Sequence, residues 1–290
     1  MANKKKIAIV TDSNSGIQRG ALEGVFVVPM PCLINDTDYF EGINLSYEDF
    51  YKLLAEDASV STSQPSIGNL SEFWEDILKD YDEIIHIPMS SGLSQSFATA
   101  ENLAKDFDGR VLVVDNRRIS ITMKESVYDA VKLREQGKSA AEIKEYLIQT
   151  AADSAIYIAV DTMKYLKKGG RVTPAAAMIG SILKIKPVLQ IHGEKLDRYM
   201  LARGNIKARE ILKEALKKEL ETTFAEYTAR GEMCVSVAYT DNPAEAEKFI
   251  AEFKAMLPDI PLHFNDPLPL SVSCHIGPGA LGVSCARFIP

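Results

Sequence analysis

Short β-branched runs that alternate with helix-forming segments constrain the fold of this chain more than any other feature. Residues 7–10 (IAIV) and 25–30 (VFVVPM) are apolar runs bounded by polar residues, glycine and proline, which is typical of buried strands. The same pattern predicts strands at 83–87 and 110–114 and helices at 47–55, 67–78, 93–107, 119–135 and 140–152. Strands that alternate with helices favour a parallel sheet with helices on both faces.

Hydroxyl-rich loops follow several of these strands. In a parallel sheet, ligands bind at the carboxyl ends of the strands, here residues 11–15, 89–94 and 115–120. Residues 11–15, 61–66 and 90–94 are rich in Ser and Thr, and hydroxyls near helix N-termini suit a bound carboxylate or phosphate. Such hydroxyls also serve as ordinary helix caps, and the residues alone leave both interpretations open.

The pattern changes near residue 152. A strand at 155–160 and a short helix at 163–168 precede residues 174–185, whose nearly continuous apolar sequence predicts a helix covered on most sides. Strands at 187–192, 195–201, 234–239 and 263–265, helices at 206–229 and 243–256, and a glycine-rich tail complete the chain. We therefore expect an α/β protein of two domains: a three-layer α/β/α domain with a parallel sheet (1–154) and an α+β domain (155–290). A length of 290 residues fits this division at about 150 residues per domain.

Charge, hydropathy and cysteine spacing exclude several classes of protein. The 33 basic and 40 acidic residues give a net charge of −7, which argues against nucleic acid as a partner. No apolar run approaches 18 residues, and the run at 7–10 is too short for a signal peptide, so we expect a cytoplasmic protein. Four cysteines without a CxxC spacing indicate neither a zinc site nor a disulfide framework, and we expect buried free thiols.

Signals for catalysis are weak. The sequence has no Walker A lysine motif, no H-E-x-x-H and no G-x-S-x-G elbow, and its glycine-rich tail is not a dinucleotide fingerprint. Ser94, His275 and Asp12 could form a hydrolase-like set, but almost any chain of this length offers such a set. His275 before a Gly/Pro turn and Arg171 after a Gly-Gly helix stop are further candidates, for which structural roles stay open.

Six separated segments share their motifs and their order with one protein family. They are IVTDS at 9–13, TSQPS at 62–66, SSGLS at 90–94, DTMKYLKKGGRV at 161–172, IKPVL at 185–189 and HIGPGALG at 275–282. Together they resemble the DegV family, the fatty-acid-binding proteins of bacteria, mainly Gram-positive. The resemblance covers essentially the whole chain.

The resemblance implies a two-domain carrier that encloses one long-chain fatty acid in a tunnel between its domains. Such a carrier presents the carboxylate to a separate ATP-binding fatty acid kinase subunit and needs no cofactor or metal of its own. A transient contact with a membrane is compatible with this role. The residues that the resemblance assigns to the carboxylate site are Thr62, Ser63, Ser91, Ser94, Arg171 and His275.

Other positions follow the family pattern less closely. Arg203 lies where members carry an arginine that helps to dock the kinase. Gln95 and Ser96 stand where the family commonly has Gly-Thr, so the resemblance leaves open whether Ser91 or Ser94 holds the carboxylate. Asn14 replaces a threonine that many members have.

An enzyme is the alternative from another class, either a serine hydrolase that uses Ser94 and His275 or a sugar-kinase-like subunit in which His275 holds a carbonyl substrate. Enclosure separates the two classes, because a hydrolase needs an oxyanion hole and room for water whereas a carrier sequesters its ligand. His275 could position a carboxylate as a hydrogen-bond donor or neutralise it as a cation. We expect the positioning role.

Overall fold

The computed structural model describes residues 5–179 and 185–290 of the chain. In chain order its strands are β1 (Ile7–Asp12), β2 (Val25–Val28), β3 (Pro31–Ile34), β4 (Thr37–Phe40), β5 (Val60–Thr62), β6 (Glu83–Ile87), β7 (Val111–Val113), β8 (Ser154–Ala159), β9 (Ile185–Ile191), β10 (Asp197–Arg203), β11 (Met233–Tyr239), β12 (Leu262–Pro267) and β13 (Leu281–Arg287). Its α-helices are α1 (Tyr47–Ala55), α2 (Ile67–Ile77), α3 (Ser96–Leu103), α4 (Ser120–Glu135), α5 (Ala140–Gln149), α6 (Lys164–Gly169), α7 (Pro174–Ala177), α8 (Gly204–Glu221), α9 (Ala225–Ala229), α10 (Pro243–Met256) and α11 (Leu270–Ile276).

Strands β2, β1, β6 and β7 form a parallel sheet in that order. Ile7 and Ile9 of β1 pack with α4 and α5 on one face, while Ala8 and Val10 pack with α2 and α3 on the other. This alternation follows from the period of two along a strand, which sends successive side chains to opposite faces. The expected three-layer α/β/α arrangement is confirmed.

Serine caps begin three helices of this half. The hydroxyls of Ser46 and Ser66 accept hydrogen bonds from the third backbone N–H of α1 and α2, at 3.1 Å in both cases. Ser139 and Glu142 form a reciprocal capping box at the start of α5. Each cap satisfies backbone donors that a helix leaves unpaired in its first turn, and it fixes where the helix begins.

The second half contains a six-stranded mixed sheet in the order β10, β9, β8, β13, β11, β12. One face packs against α8 and α10 through buried residues such as Tyr157, Val283, Val235, Leu212 and Phe249. The opposite face turns towards the first half, with Ile156 and Ile158 of β8 in a separate apolar cluster. The α+β character expected for this half is confirmed.

A third, antiparallel sheet of β4, β3 and β5 was not predicted from the sequence. Residues 61–66 are not wholly a loop as expected, because β5 ends at Thr62. Helices α1 and α11 cover this sheet, and Phe50, Leu54, Leu270 and Cys274 pack against Cys32 and Ile34. Packing on this sheet therefore brings β3, from the first half of the chain, into contact with α11, near its end.

Several predicted boundaries were wrong. Of the segment 174–185, residues 180–184 lie outside the described part. Among its described residues, only Pro174–Ala177 are helical, Met178 is 84% exposed instead of covered, and Ile185 begins β9. The helix expected at 206–229 divides into α8 and α9, and the one expected at 93–107 is α3 followed by a 3-10 turn at Ala104–Phe107. The glycine-rich tail contains α11 and β13, the latter between β8 and β11 in the sheet.

Two further expectations can be set against the structure. The four cysteines are buried and free of disulfide bonds, as expected. Among the described residues, no helix combines the length and apolarity that a membrane crossing requires. The division into domains at 1–154 and 155–290 stays a prediction.

Candidate ligand-binding site

A cavity lies between loops of the first half and the inner face of the six-stranded sheet. The space between its lining atoms is about 940 Å³, a figure that includes open solvent at the mouth. Its apolar wall includes Leu93, Ile119, Ile121, Ile156, Ile158, Leu166, Ile191, Leu196, Leu268, Val272 and Ile276. Its polar lining includes Asn14, Thr62, Ser63, Gln64, Ser94, Arg171, Ser271 and His275.

Thr62 and His275 meet in this polar lining. Thr62 is the last residue of β5, and His275 lies in the last turn of α11, which packs on β3 and β5. Thr62 Oγ1 and His275 Nε2 lie 2.8 Å apart, a hydrogen-bond distance. Gly169, at the end of α6, lies against the imidazole so closely that any side chain there would overlap Nδ1. The ring is therefore held between a hydroxyl and a glycine backbone.

The imidazole of His275 is neutral at neutral pH. Burial lowers its pKa from 6.5 to about 4, because the charged form loses its hydration, and the Arg171 guanidinium contributes in the same direction. A neutral imidazole carries one N–H donor and one lone pair, so Nε2 can either donate to Thr62 or accept from it. This protonation state favours positioning by hydrogen bonding over charge neutralisation.

Arg171 follows the helix stop at Gly170 and is partly buried beside the same ring. Its Nε donates to the Leu93 carbonyl oxygen at 3.4 Å, and its Nη1 donates to the Gly169 carbonyl oxygen. These two backbone acceptors fix the guanidinium at the cavity wall. Arg171 therefore contributes a positive charge to the cavity wall, while His275 stays neutral.

The serines of the SSGLS segment separate into two groups. Ser94 lines the cavity, and its hydroxyl lies 2.8 Å from that of Ser96 at the start of α3. Ser91 is exposed, donates to Asp115 and is not among the lining residues. Of the two candidates that the sequence left open, Ser94 is the one placed at the cavity.

Ser63 and Gln64 line the cavity and are also exposed to solvent. The backbone N–H of Ser63 donates to the Pro31 carbonyl oxygen at 3.3 Å, which extends the β3–β5 pairing by one residue. Residues that are both lining and exposed mark a place where the cavity opens. The opening therefore adjoins Thr62.

Sequence reasoning missed a polar network behind the cavity. Asn14 Oδ1 accepts a hydrogen bond from the Ser271 hydroxyl at 2.7 Å, and both residues line the cavity. Asp12 accepts from Asn14 Nδ2 at 2.6 Å and from the Met89 backbone N–H at 2.9 Å, and burial raises its pKa to about 6. The signal available in the sequence was the TDSNS run itself, but its partner Ser271 lies in a helix that was not predicted.

The hydrolase-like set is not assembled. Among the hydrogen bonds of the described residues, Ser94 bonds to Ser96, His275 to Thr62 and Asp12 to Asn14 and Met89, so no bond joins the three. A serine nucleophile needs a base within about 2.6–3.2 Å. The geometry favours a binding site over a Ser-His-Asp catalytic site.

Comparisons with known proteins agree with this fold and give the family of the chain. The family model described as "Uncharacterised protein, DegV family" matches residues 6–287, and the chain therefore belongs to the DegV family. A DegV domain-containing protein of Deinococcus radiodurans is 32% identical over 285 residues, which covers 96% of this chain and 97% of the relative.

Solved structures of the same family superpose closely. One is a DegV family protein from Thermus thermophilus, described for its fatty acid binding. It superposes on this chain with a TM-score of 0.87 and 26% identity, and the match covers 98% of this chain and 100% of that one. DegV, a fatty acid binding protein from Bacillus subtilis, has a TM-score of 0.84 and 28% identity and covers 98% and 99% of the two chains. The expected family and fold are confirmed.

Replacing Gly169 by alanine should displace the imidazole of His275. The new Cβ would overlap Nδ1 and lie 3.0 Å from Cε1, so the ring must leave its buried position between Gly169 and Thr62. We expect the pKa of His275, measured by NMR titration, to rise from about 4 towards 6.5. We also expect the free energy of unfolding to fall by about 1–3 kcal/mol.

Gly68→Ala is the matched control, because a Cβ at Gly68 meets nothing within 4 Å and the residue is in the first turn of α2. It should leave the titration unchanged and the stability within about 0.5 kcal/mol. An unchanged His275 pKa in Gly169→Ala would show that the glycine does not hold the ring.

Proposed function

We propose that this chain binds one long-chain fatty acid in the cavity and presents its carboxylate to a separate ATP-dependent kinase subunit. The observation that carries the proposal is a cavity with a long apolar wall and a hydroxyl–imidazole pair, Thr62 and His275, in its polar lining. Fatty acid binding by the relatives from Thermus thermophilus and Bacillus subtilis supports the same ligand.

Burial of the acyl chain supplies most of the affinity. A palmitate-sized chain has roughly 14 methylenes, and at about 0.8 kcal/mol each their burial is worth on the order of 11 kcal/mol. Association and ordering costs reduce that figure. An acyl chain requires an apolar wall. Four isoleucines contribute to one here: Ile119, Ile156, Ile158 and Ile191.

The carboxylate is held by donors and not by a cationic imidazole. An ionised carboxylate only accepts hydrogen bonds and is costly to bury without them. Thr62 and a neutral His275 each have a proton to donate, so a carboxylate can replace the bond they make with each other. Ser94 adds a hydroxyl to the lining, and Arg171 provides the positive charge.

Presentation to a kinase requires that one carboxylate oxygen remain accessible. The exposed lining residues Ser63 and Gln64 place an opening beside Thr62, where a partner could reach the head group. In the proposed transfer a carboxylate oxygen attacks the γ-phosphorus of ATP, which yields an acyl phosphate and ADP. In this proposal the partner subunit supplies the nucleotide site.

Native mass spectrometry of the purified protein tests lipid binding. We expect one fatty acid per chain, and one-to-one uptake after the lipid is removed. Ile158→Phe should extend a ring into the cavity and shift the retained acid to shorter chains, whereas Ile148→Phe, at a residue 47% exposed in α5, should not. A protein that is empty and takes up no fatty acid of any length contradicts the proposal.

Substitutions at His275 separate positioning from charge. His275→Ala removes a hydrogen bond to a charged group, worth about 1.5–3 kcal/mol, so fatty acid binding should weaken roughly 10- to 150-fold. The kinase rate should fall further, since a rotating head group loses its orientation. His275→Gln keeps a hydrogen-bond donor, so it should retain a substantial part of the fatty acid affinity and of the kinase rate.

The pH profile gives an independent check of the same assignment. In the ligand-free chain the pKa of His275 is lowered to about 4. If His275 positions the carboxylate as a neutral donor, its charge does not change between pH 6 and 8. The kinase rate should therefore be flat over that range. A decline with rising pH, together with equal inactivity of the glutamine and alanine variants, would support a cationic role instead.

Arg203 is our candidate contact for the kinase. It is exposed at the end of edge strand β10, next to the exposed Leu201 and Ile206, and is not among the cavity residues. Arg203→Ala should weaken kinase association and leave fatty acid binding unchanged. Arg198→Ala, at an exposed arginine of the same strand, is the control. Loss of fatty acid binding with intact kinase association would show that Arg203 does not dock the kinase.

A further inference from the structure

Glu125, Cys234 and His263 form a buried cluster away from the cavity. Glu125 of α4 and Cys234 of β11 are 3% and 1% exposed, and His263 of β12 is partly buried. Glu125 Oε2 lies 2.9 Å from His263 Nδ1 and 3.5 Å from Cys234 Sγ. The three ligand-type atoms all lie within 4.8 Å of one another. Three separate elements thus direct an oxygen, a nitrogen and a sulfur to one point.

These separations suit a tetrahedral metal site. Zinc binds sulfur at about 2.3 Å and nitrogen or oxygen at about 2.0–2.2 Å, so neighbouring ligand atoms in a tetrahedron lie roughly 3.4–3.6 Å apart. The Glu125–Cys234 distance of 3.5 Å already has this value, and the Glu125–His263 distance of 2.9 Å would need to open by about half an ångström. A mixed sulfur, nitrogen and oxygen set favours zinc over calcium or magnesium, which prefer oxygen alone.

Charged groups surround the cluster. Arg118 is a buried guanidinium beside it, and the carboxylates of Glu125, Asp129 and Asp153 all act on it. Asp153 is paired with Arg287, and Asp129 feels Lys132 as well as Arg118. These charges are close to balanced, so the placement of the three donor atoms, and not the surrounding charge, favours a metal ion.

The ring of His263 is held in place by packing, and it is the member of the cluster that solvent reaches. It packs edge-on against Phe288, with ring centroids 4.5 Å apart, and its side chain is 25% exposed. Cys234 Sγ also contacts the Ala286 carbonyl oxygen at 3.4 Å, which fixes the sulfur on the opposite side. An ion can enter past the histidine and reach the thiol without unfolding the sheet.

We propose that Glu125, Cys234 and His263 bind one Zn²⁺ ion, with a water molecule as fourth ligand. The ion takes the place of the two hydrogen bonds between these groups. The thiol releases its proton to solvent, and the neutral imidazole binds through Nδ1 with its one proton on Nε2. It ties α4 to β11 and β12. Since Ser120 and Ile121 at the start of α4 line the cavity, the ion also braces the helix that carries part of that wall.

Cobalt(II) is a spectroscopic probe for this site. After removal of metals with a chelator, one equivalent of Co²⁺ should bind per chain and give a thiolate-to-cobalt charge-transfer band in the near ultraviolet. An equal amount of Zn²⁺ should remove the band. Zn²⁺ should also raise the Tm of the metal-free protein by several degrees, because it binds the folded state only.

Two pairs of variants make the test specific. Cys234→Ser should abolish the band, and His263→Gln should weaken Co²⁺ binding at least tenfold. The controls are Cys285→Ser, at a buried cysteine on the opposite face of the same sheet, and His192→Gln, at an exposed histidine; both should behave as the parent protein. If Cys234→Ser fails to fold, His263→Gln decides the matter, because its side chain is partly exposed.

Two results would overturn the zinc site: no stoichiometric Co²⁺ binding, or a band that survives in Cys234→Ser. Fatty acid uptake is measured separately on the same samples. A chain that binds Co²⁺ but no lipid refutes the proposed function alone, and a chain that binds lipid but no Co²⁺ refutes the zinc site alone.

Discussion

The packing of α11 on β5 is the contact on which the binding site depends. It brings His275 to Thr62 across 213 positions of sequence, with Nε2 and Oγ1 2.8 Å apart. The same helix carries Ser271 to Asn14, which closes a second polar contact between the two parts of the chain. Leu270 and Cys274 secure the helix by packing against Cys32 of the small antiparallel sheet and Phe50 of α1. The apolar face of α11 therefore provides the stability, and its other residues provide the site.

Burial decides the electrostatic character of that site. The same loss of hydration that keeps His275 neutral raises the pKa of Asp12 to about 6, because both effects disfavour the charged form. Asp12 offsets this cost by accepting hydrogen bonds from Asn14 and Met89. A carboxylate ligand faces the same cost, and the proposed donors Thr62, His275 and Ser94 offset it in the same way. Among the lining residues that the structure describes, Arg171, tethered to backbone oxygens, is the one charged group.

The sequence predicted the elements that local chemistry determines. Helix α1 has the predicted bounds, as do strand β6 and helix α10, because a cap or a β-branched run between polar residues marks their ends. Strand β5 escaped prediction because three residues, Val-Ser-Thr, are too few to show a period. The segment at 174–185 misled us, since apolar composition does not reveal that Met178 is exposed.

The candidate site shows the same division between local and long-range information. Family motifs indicated Thr62, Ser94, Arg171 and His275, and all four line one cavity. No local pattern could indicate that Ser91 bonds to Asp115 instead, or that Asn14 meets Ser271, because these contacts arise from packing between distant segments. Cysteine spacing likewise gave no sign of the Glu125–Cys234–His263 cluster, whose members come from three elements.

Strands β11 and β13 explain why the cavity and this cluster lie on one face of the same sheet. Towards α8 and α10 both strands direct large side chains, whereas their other face carries the paired small residues Ala238 and Gly282, Ser236 and Ser284, and Cys234 and Ala286. Small residues on that face let α4 pack directly on the sheet. At one end, Ala238 and Gly282 leave the space that becomes part of the cavity wall. Four residues away along β11, about 13 Å at the rise of a strand, Cys234 meets Glu125 of α4. One stripe of small side chains therefore makes room for the ligand and brings α4 close enough for its carboxylate to reach the thiol.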